Sequence, residues 1–236
     1  MPMTRREFLA AAAVAPIAAR SFAQEADPSP AAPGRHPLHL GDEPDRDGFF
    51  YVPRGYKADA AAPLMVMLHG AGNTSASTAY AFPLADEFGV ILLAPDSRDE
   101  RTWDGVLRNW GPDLEFIAKA MRLAYERYNI DRTHVGVAGF SDGASYALSL
   151  GISYGDQFGR IISMSPGVMQ PIERRGTPKI FLSHGIADQV MPIDATSRAF
   201  VPKLKSLGYD VTYREYDGKH SPSAPVVREA FEWFLK

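Results

Sequence analysis

The 236-residue chain contains no cysteine. That removes disulfides, thiolate metal sites, a cysteine nucleophile and a lipid-modified N-terminal cysteine in one step, and leaves the redox compartment undetermined. Charge imbalance is small: the net charge is −3, with no basic block beyond the first few residues, so no nucleic-acid partner and no anionic-membrane surface is expected. No apolar run approaches the roughly 20 residues of a membrane span. There is no internal repeat, and no long apolar helical insertion that could serve as a lid. With 45% hydrophobic and 22% charged residues, what remains is the composition of an ordinary globular protein, long enough for one large α/β domain or two small ones.

The first 23 residues stand apart. "MPMTRREFLAAAAVAPIAARSFA" carries Arg5 and Arg6, then Phe8 and Leu9, an alanine-dominated stretch to Ala19, and the small-x-small pattern Ser21-Phe22-Ala23. It resembles a bacterial twin-arginine export signal. The expectation is export through the twin-arginine machinery to the periplasm or beyond, cleavage after Ala23, and a mature chain of 213 residues with net charge −5. Residues 24–37, "QEADPSPAAPGRHP", lack periodicity and are expected to form a flexible or extended lead-in, with the domain running over 38–236.

Within that domain, apolar runs of strand length alternate with segments of helical period. The runs are 48–53, 64–70, 90–95, 134–140, 160–165, 179–185 and 210–216. Several are continuously apolar, as strands covered on both faces are. Pro112 opens a helix whose Leu114, Ile117, Ala118, Met121, Ala124, Tyr125 and Tyr128 form one stripe, and "APVVREAFEWFLK" closes the chain with another. The alternation predicts a single α/β domain with a mostly parallel central sheet and helices on both faces. Ligands in such sheets sit beyond the carboxyl ends of the strands, so the residues just after each run are the ones that carry chemistry.

Three strand ends do so together. "GFSDG" places Ser141 between a strand and a helix; glycines two before and two after leave room for the strained turn that projects a nucleophilic Oγ. A bare G-x-S-x-G also occurs in structural turns, and the strand before and helix after favour the nucleophile. Asp188, four residues past the strand-ending His184, can reach an imidazole, although loop aspartates also serve as turn formers. His220 follows the last strand. The chain order Ser141, Asp188, His220 is that of an α/β-hydrolase triad. Rival acids are Asp194, which reads as a helix cap, and Asp217, only three residues from His220. A fourth segment, "HGAGN", offers the Ala71 N–H as partner to the Asp142 N–H in an oxyanion hole; it lacks the lysine and the spacing of a phosphate-binding loop. His69 reads as a brace for that segment.

"LHGAGN", "GFSDGA", "HGIADQVMP" and "DGKH" resemble the corresponding motifs of the phospholipase/carboxylesterase family of α/β-hydrolases, which includes acyl-protein thioesterases, with kinship to secreted feruloyl and polyhydroxyalkanoate-type esterases. The match spans roughly residues 64–236. The resemblance implies an α/β-hydrolase fold and a serine esterase in which Ser141 attacks an acyl carbonyl, His220 moves the proton and Asp188 orients the imidazole. It implies no metal and no organic cofactor. Two departures stand out: Ala144 where relatives commonly have a second glycine, and Asp142 where they often carry a neutral glutamine. An Asp142 carboxylate facing the site would disfavour anionic substrates. Trp103 and Trp110, in the long loop 96–111, are expected to form a partly open aromatic wall that binds substrate, the alternative being a local packing clamp. The expected substrate is a small-molecule or oligomeric ester, short acyl or aryl. A depolymerase or a feruloyl or acetyl esterase working on polymer fragments is the second reading; a catalytically silent binding protein would show a broken triad, and this one is intact.

Overall fold

The structure is a computed structural model that describes residues 32–40, 46–107 and 110–236. The expected signal segment, 1–23, and the start of the lead-in therefore lie outside the described residues. One eight-stranded sheet organises the rest: β1 (Gly34–Pro37), β2 (Gly48–Val52), β3 (Ala62–Leu68), β4 (Ile91–Pro95), β5 (Ile130–Phe140), β6 (Arg160–Met164), β7 (Lys179–Gly185) and β8 (Val211–Tyr216). Their order is β1-β2-β4-β3-β5-β6-β7-β8. β2 runs antiparallel to both β1 and β4, and every other neighbouring pair is parallel.

Five α-helices among the described residues cover this sheet: α1 (Phe82–Phe88), α2 (Pro112–Arg127), α3 (Asp142–Ser153), α4 (Ser197–Ser206) and α5 (Ala224–Phe234). Alternate residues of each strand point to opposite faces, and β3 shows the division. Leu64, Val66 and Leu68 join a core with residues of α2, α3 and α4, such as Ile117, Leu148 and Leu204. Met65 and Met67 join a second core with Ala85 of α1 and Phe231 and Phe234 of α5. Phe234 is fully buried; truncating such a side chain to alanine costs about 3–5 kcal/mol. The predicted doubly covered parallel sheet is thus present.

Two segments differ from the sequence reading. Gly34–Pro37, read as the end of the lead-in, pairs antiparallel with β2, Gly34 opposite Val52, so the folded domain begins before Leu38. A four-residue edge strand rich in proline and glycine has no period to detect. The crossover from β6 to β7, residues 165–178, carries no helix, because Pro166, Pro171 and Pro178 interrupt it. Its backbone donors go instead to a serine ladder on α3. The hydroxyls of Ser145, Ser149 and Ser153 donate to the carbonyls of Ser141, Ser145 and Ser149, one turn back, at 3.2, 2.8 and 2.7 Å. They accept the N–H groups of Gly167, Gln170 and Ile172 at 2.8, 2.9 and 3.0 Å. A hydroxyl can do both at once, so an extended segment lies against the helix with its polar groups satisfied.

The chain winds from β3 outward to β4, then returns to place β5 on the other side of β3. Such a reversal opens a crevice beyond the strand ends. Leu68 is paired with Gly139, which brings the two glycine-rich motifs face to face there.

Candidate active site

Ser141 joins β5 to α3 with φ +58° and ψ −123°, a conformation that costs a non-glycine residue about 1–3 kcal/mol. The surroundings hold it: its N–H donates to the Met164 carbonyl at 3.0 Å, and its carbonyl accepts the Ser145 N–H at 3.0 Å. The flanking glycines are dictated by contact. A Cβ on Gly139 would overlap the Gly143 carbonyl, and one on Gly143 would overlap the carbonyls of Leu68 and His69. Ala144 is fully buried, and the turn forms without a third glycine.

The structure brings the three predicted strand-end residues together. His220 Nε2 is 2.8 Å from Ser141 Oγ, and His220 Nδ1 is 2.6 Å from Asp188 Oδ2. The other oxygen of Asp188 accepts the N–H groups of Val190 and Met191, each at 2.9 Å. Burial alone would raise the pKa of this carboxyl; the Met191 N–H, His220 and the Val190 N–H outweigh it and hold it below the usual carboxylate value. The His220 loop rests on the Asp188 loop through Ile186 N–H to Tyr216 O and Ala187 N–H to Gly218 O, both 2.9 Å. The rivals stand elsewhere: Asp194 pairs with Arg198 at 2.9 Å, and Asp217 is exposed.

A second histidine, not singled out by sequence reasoning, lies under the acid. His184 is fully buried, with Nε2 at 2.8 Å from the Met191 carbonyl and 3.2 Å from Asp188 Oδ2, and Nδ1 at 2.6 Å from Ser197 Oγ. A carbonyl only accepts, so Nε2 carries the proton and Nδ1 accepts from the serine. Burial first of all lowers its pKa. The four-residue spacing from His184 to Asp188 was the available signal.

The β3 loop supplies the opposite wall. His69 Nε2 accepts the Ser97 N–H at 3.0 Å, and Nδ1 therefore donates to the Gly70 carbonyl at 2.8 Å. Burial lowers this pKa as well, so His69 is a neutral brace. Gly72 takes φ +65°, reversing the chain so that Ala71 lies at the mouth. Among the described residues, no backbone hydrogen bond engages the N–H of Ala71 or of Asp142.

These elements enclose a cavity of about 440 Å³, with Gly70, Ala71, Ser141 and His220 around the hydroxyl and Tyr80, Phe140, Val190 and Pro222 among its walls. A neighbouring cavity of about 390 Å³ shares Tyr80 and Pro222 and adds Leu84, Val227 and Arg228.

The expected tryptophan wall is not there. Trp103 is fully buried, its indole N–H donating to the His69 carbonyl at 2.8 Å. Trp110 packs on Tyr146, ring centroids 4.8 Å apart. Neither lines the cavity. Large apolar rings are drawn beneath the loop for packing, and the clamp alternative describes them. Nor does Asp142 face the cavity; its carboxylate accepts the Thr102 hydroxyl at 2.6 Å, so the expected bias against anionic substrates loses its premise.

Residues 115–235 match the phospholipase/carboxylesterase family. The chain is 26% identical over 159 residues to a probable feruloyl esterase C of Aspergillus flavus, a match covering 64% of this chain and 57% of that one. It is 30% identical over 146 residues to an acetylxylan esterase of Coprinopsis cinerea, covering 56% and 38%. The chain thus matches 57% of the length of the first relative and 38% of the second. Among solved structures, a carbohydrate esterase from gut microbiota superposes with TM-score 0.67 at 15% identity, over 86% of this chain and 94% of that one. A ferulic acid esterase of Anaeromyces mucronatus does so with TM-score 0.62 at 18% identity, over 80% and 84%. At such identities these neighbours carry the fold alone. The chain belongs to the phospholipase/carboxylesterase family of α/β-hydrolases.

Proposed function

We propose that the protein is a serine hydrolase that cleaves carboxylic esters through an acyl-enzyme on Ser141. The observation that carries this reading is the continuous relay from Ser141 Oγ through His220 to Asp188, at 2.8 and 2.6 Å. As the Ser141 oxygen attacks the acyl carbon, its proton passes to His220 Nε2, and Asp188 steadies the imidazolium. The N–H groups of Ala71 and Asp142 receive the negative charge that develops on the carbonyl oxygen. Collapse breaks the bond to the alcohol oxygen, which leaves with the proton from His220. Water then attacks the acyl-enzyme by the same route, releasing the acid and restoring Ser141. No step draws on a metal or an organic cofactor.

The walls of Tyr80, Phe140, Val190 and Pro222 suit an uncharged acyl or aryl group. The adjoining cavity supports a substrate with a second segment beyond the ester. Together with the feruloyl and acetylxylan esterase names of its relatives, this favours aromatic or acetyl esters borne on polymer fragments as the specific form of the reading. The twin-arginine-like start of the sequence supports export of that activity to the periplasm or beyond, with the twin-arginine machinery as a partner.

A panel of aryl esters of increasing acyl length, assayed on wild type and Ser141→Ala, tests the proposal. Turnover that disappears in the variant supports it; unchanged turnover in the variant, or none in wild type across the panel, overturns it. A mature N-terminus at Gln24 would support export, and a retained Met1 would contradict cleavage.

A further inference from the structure

An oxyanion hole built from Ala71 and Asp142 draws its two donors from segments far apart in sequence. The stabilisation depends on both N–H groups lying about 2.7–3.1 Å from one oxygen position, so something must set their separation. Three consecutive residues of the loop after β4 touch both sides. The Arg101 carbonyl accepts the Gly72 N–H at 2.8 Å. The Trp103 indole donates to the His69 carbonyl at 2.8 Å. Between them, the Thr102 hydroxyl donates to the Asp142 carboxylate at 2.6 Å. The first two bonds flank Gly70 and Ala71; the third holds the residue that carries the other donor.

We infer that Arg101–Trp103 is a clamp that fixes the geometry of the oxyanion hole, with Thr102 as a positioning residue acting through Asp142. The inference rests on the esterase reading above and adds the element that sets its catalytic geometry. A carboxylate offers only acceptors, so the Thr102 hydroxyl must point its proton at Asp142, and the bond has one direction. Thr102 is 6% exposed, and Asp142 is half-buried.

The clamp is itself held rigidly. Two carboxylates cross-brace the loop: Asp113 accepts the N–H groups of Arg98 and Asp104 at 2.5 and 2.7 Å, and Asp104 accepts those of Gly111 and Asp113, both at 2.9 Å. The Trp103 ring sits between those of His69 and Tyr146, at 4.7 and 5.3 Å. A Cβ on Gly105 would overlap the rings of Tyr146 and Trp110, so the loop backbone lies directly on a ring carried by α3. Because α3 begins at Asp142, the loop packs against the element that carries that donor.

The test measures kcat, KM and the affinity of an aryl trifluoromethyl ketone, whose hemiketal with Ser141 presents an oxyanion to the hole. Thr102→Val keeps the shape and deletes the hydroxyl. It should lower kcat about tenfold, less than the loss of a whole donor, leave KM within about twofold, and weaken the ketone by the same factor as kcat/KM. Thr102→Ser should restore both to within about twofold of wild type. Asp142→Ala removes the same bond from its other end, and the double variant should be no slower than the slower single variant, since the two residues act as one unit. Thr102→Val at wild-type kcat and ketone affinity overturns the inference; so do losses that multiply in the double variant. Should Thr102→Val fail to fold, unchanged kcat and ketone affinity in Asp142→Ala overturns it equally. Ser141→Ala separates the two levels. Retained turnover there sinks the esterase reading, whereas lost turnover there with an unaffected Thr102→Val sinks the clamp alone.

Discussion

His184 Nε2 stands 3.2 Å from Asp188 Oδ2, the same oxygen that meets His220 Nδ1 at 2.6 Å. Asp188 is therefore held by a buried ring from the strand that precedes it as well as by backbone donors. Replacing that ring by phenylalanine would leave the Met191 carbonyl and the Ser197 hydroxyl without their partner. Each such loss costs about 1–3 kcal/mol. His184→Phe should lower stability by that order in urea melts and reduce kcat more than it raises KM.

The backbone of Ser141 stores strain that a side-chain deletion does not release. Ser141→Ala and Ser141→Gly both lack the hydroxyl, and only glycine occupies φ +58° without penalty. The glycine variant should be the more stable by about 1 kcal/mol, after its greater unfolded-state freedom is subtracted. Equal melting temperatures would contradict the strain.

Burial, with neighbouring Asp104 adding to it and backbone N–H groups opposing it, pushes the Asp113 carboxyl up to about 6. Between the ordinary carboxylate value and that point, the folded protein holds a proton that the unfolded chain has released. This group's contribution to stability thus falls as pH rises from about 4 to 6 and is flat above. Asp113→Asn cannot titrate there. The stability of the variant relative to wild type should improve by up to about 3 kcal/mol between pH 4 and pH 7, read by denaturant titration; no change across that interval would contradict it.

Leu84 lines the cavity that adjoins the site across Tyr80 and Pro222. Leu84→Trp would fill that space. It should cut kcat/KM for aryl esters with long acyl chains about tenfold, a loss of about 1.4 kcal/mol, while leaving acetyl esters within about twofold.

Much of the fold is legible in the sequence, for definite reasons. Runs such as "VILLAP" are buried on both faces, and their alternation with Pro112-type helix starts dictated a parallel sheet. That Ser141, Asp188 and His220 come together is legible because all three follow strand ends of one parallel sheet. The burial of Trp103 is not, since composition cannot say which way a ring turns; beneath the loop after β3 its N–H meets the His69 carbonyl. The direction of Asp142 depended on Thr102, 40 residues earlier, and no local pattern links them. The helix-free crossover after β6 depended on serines spaced by four on a different element.

The most direct test of the account is mass spectrometry of the protein after exposure to an aryl fluorophosphonate, which reacts with an activated serine. One adduct, located on Ser141 and strongly slowed in His220→Ala, is the expected result. An adduct confined to another residue, or labelling of Ser141 at the same rate without His220, would contradict the assignment of the nucleophile and its base.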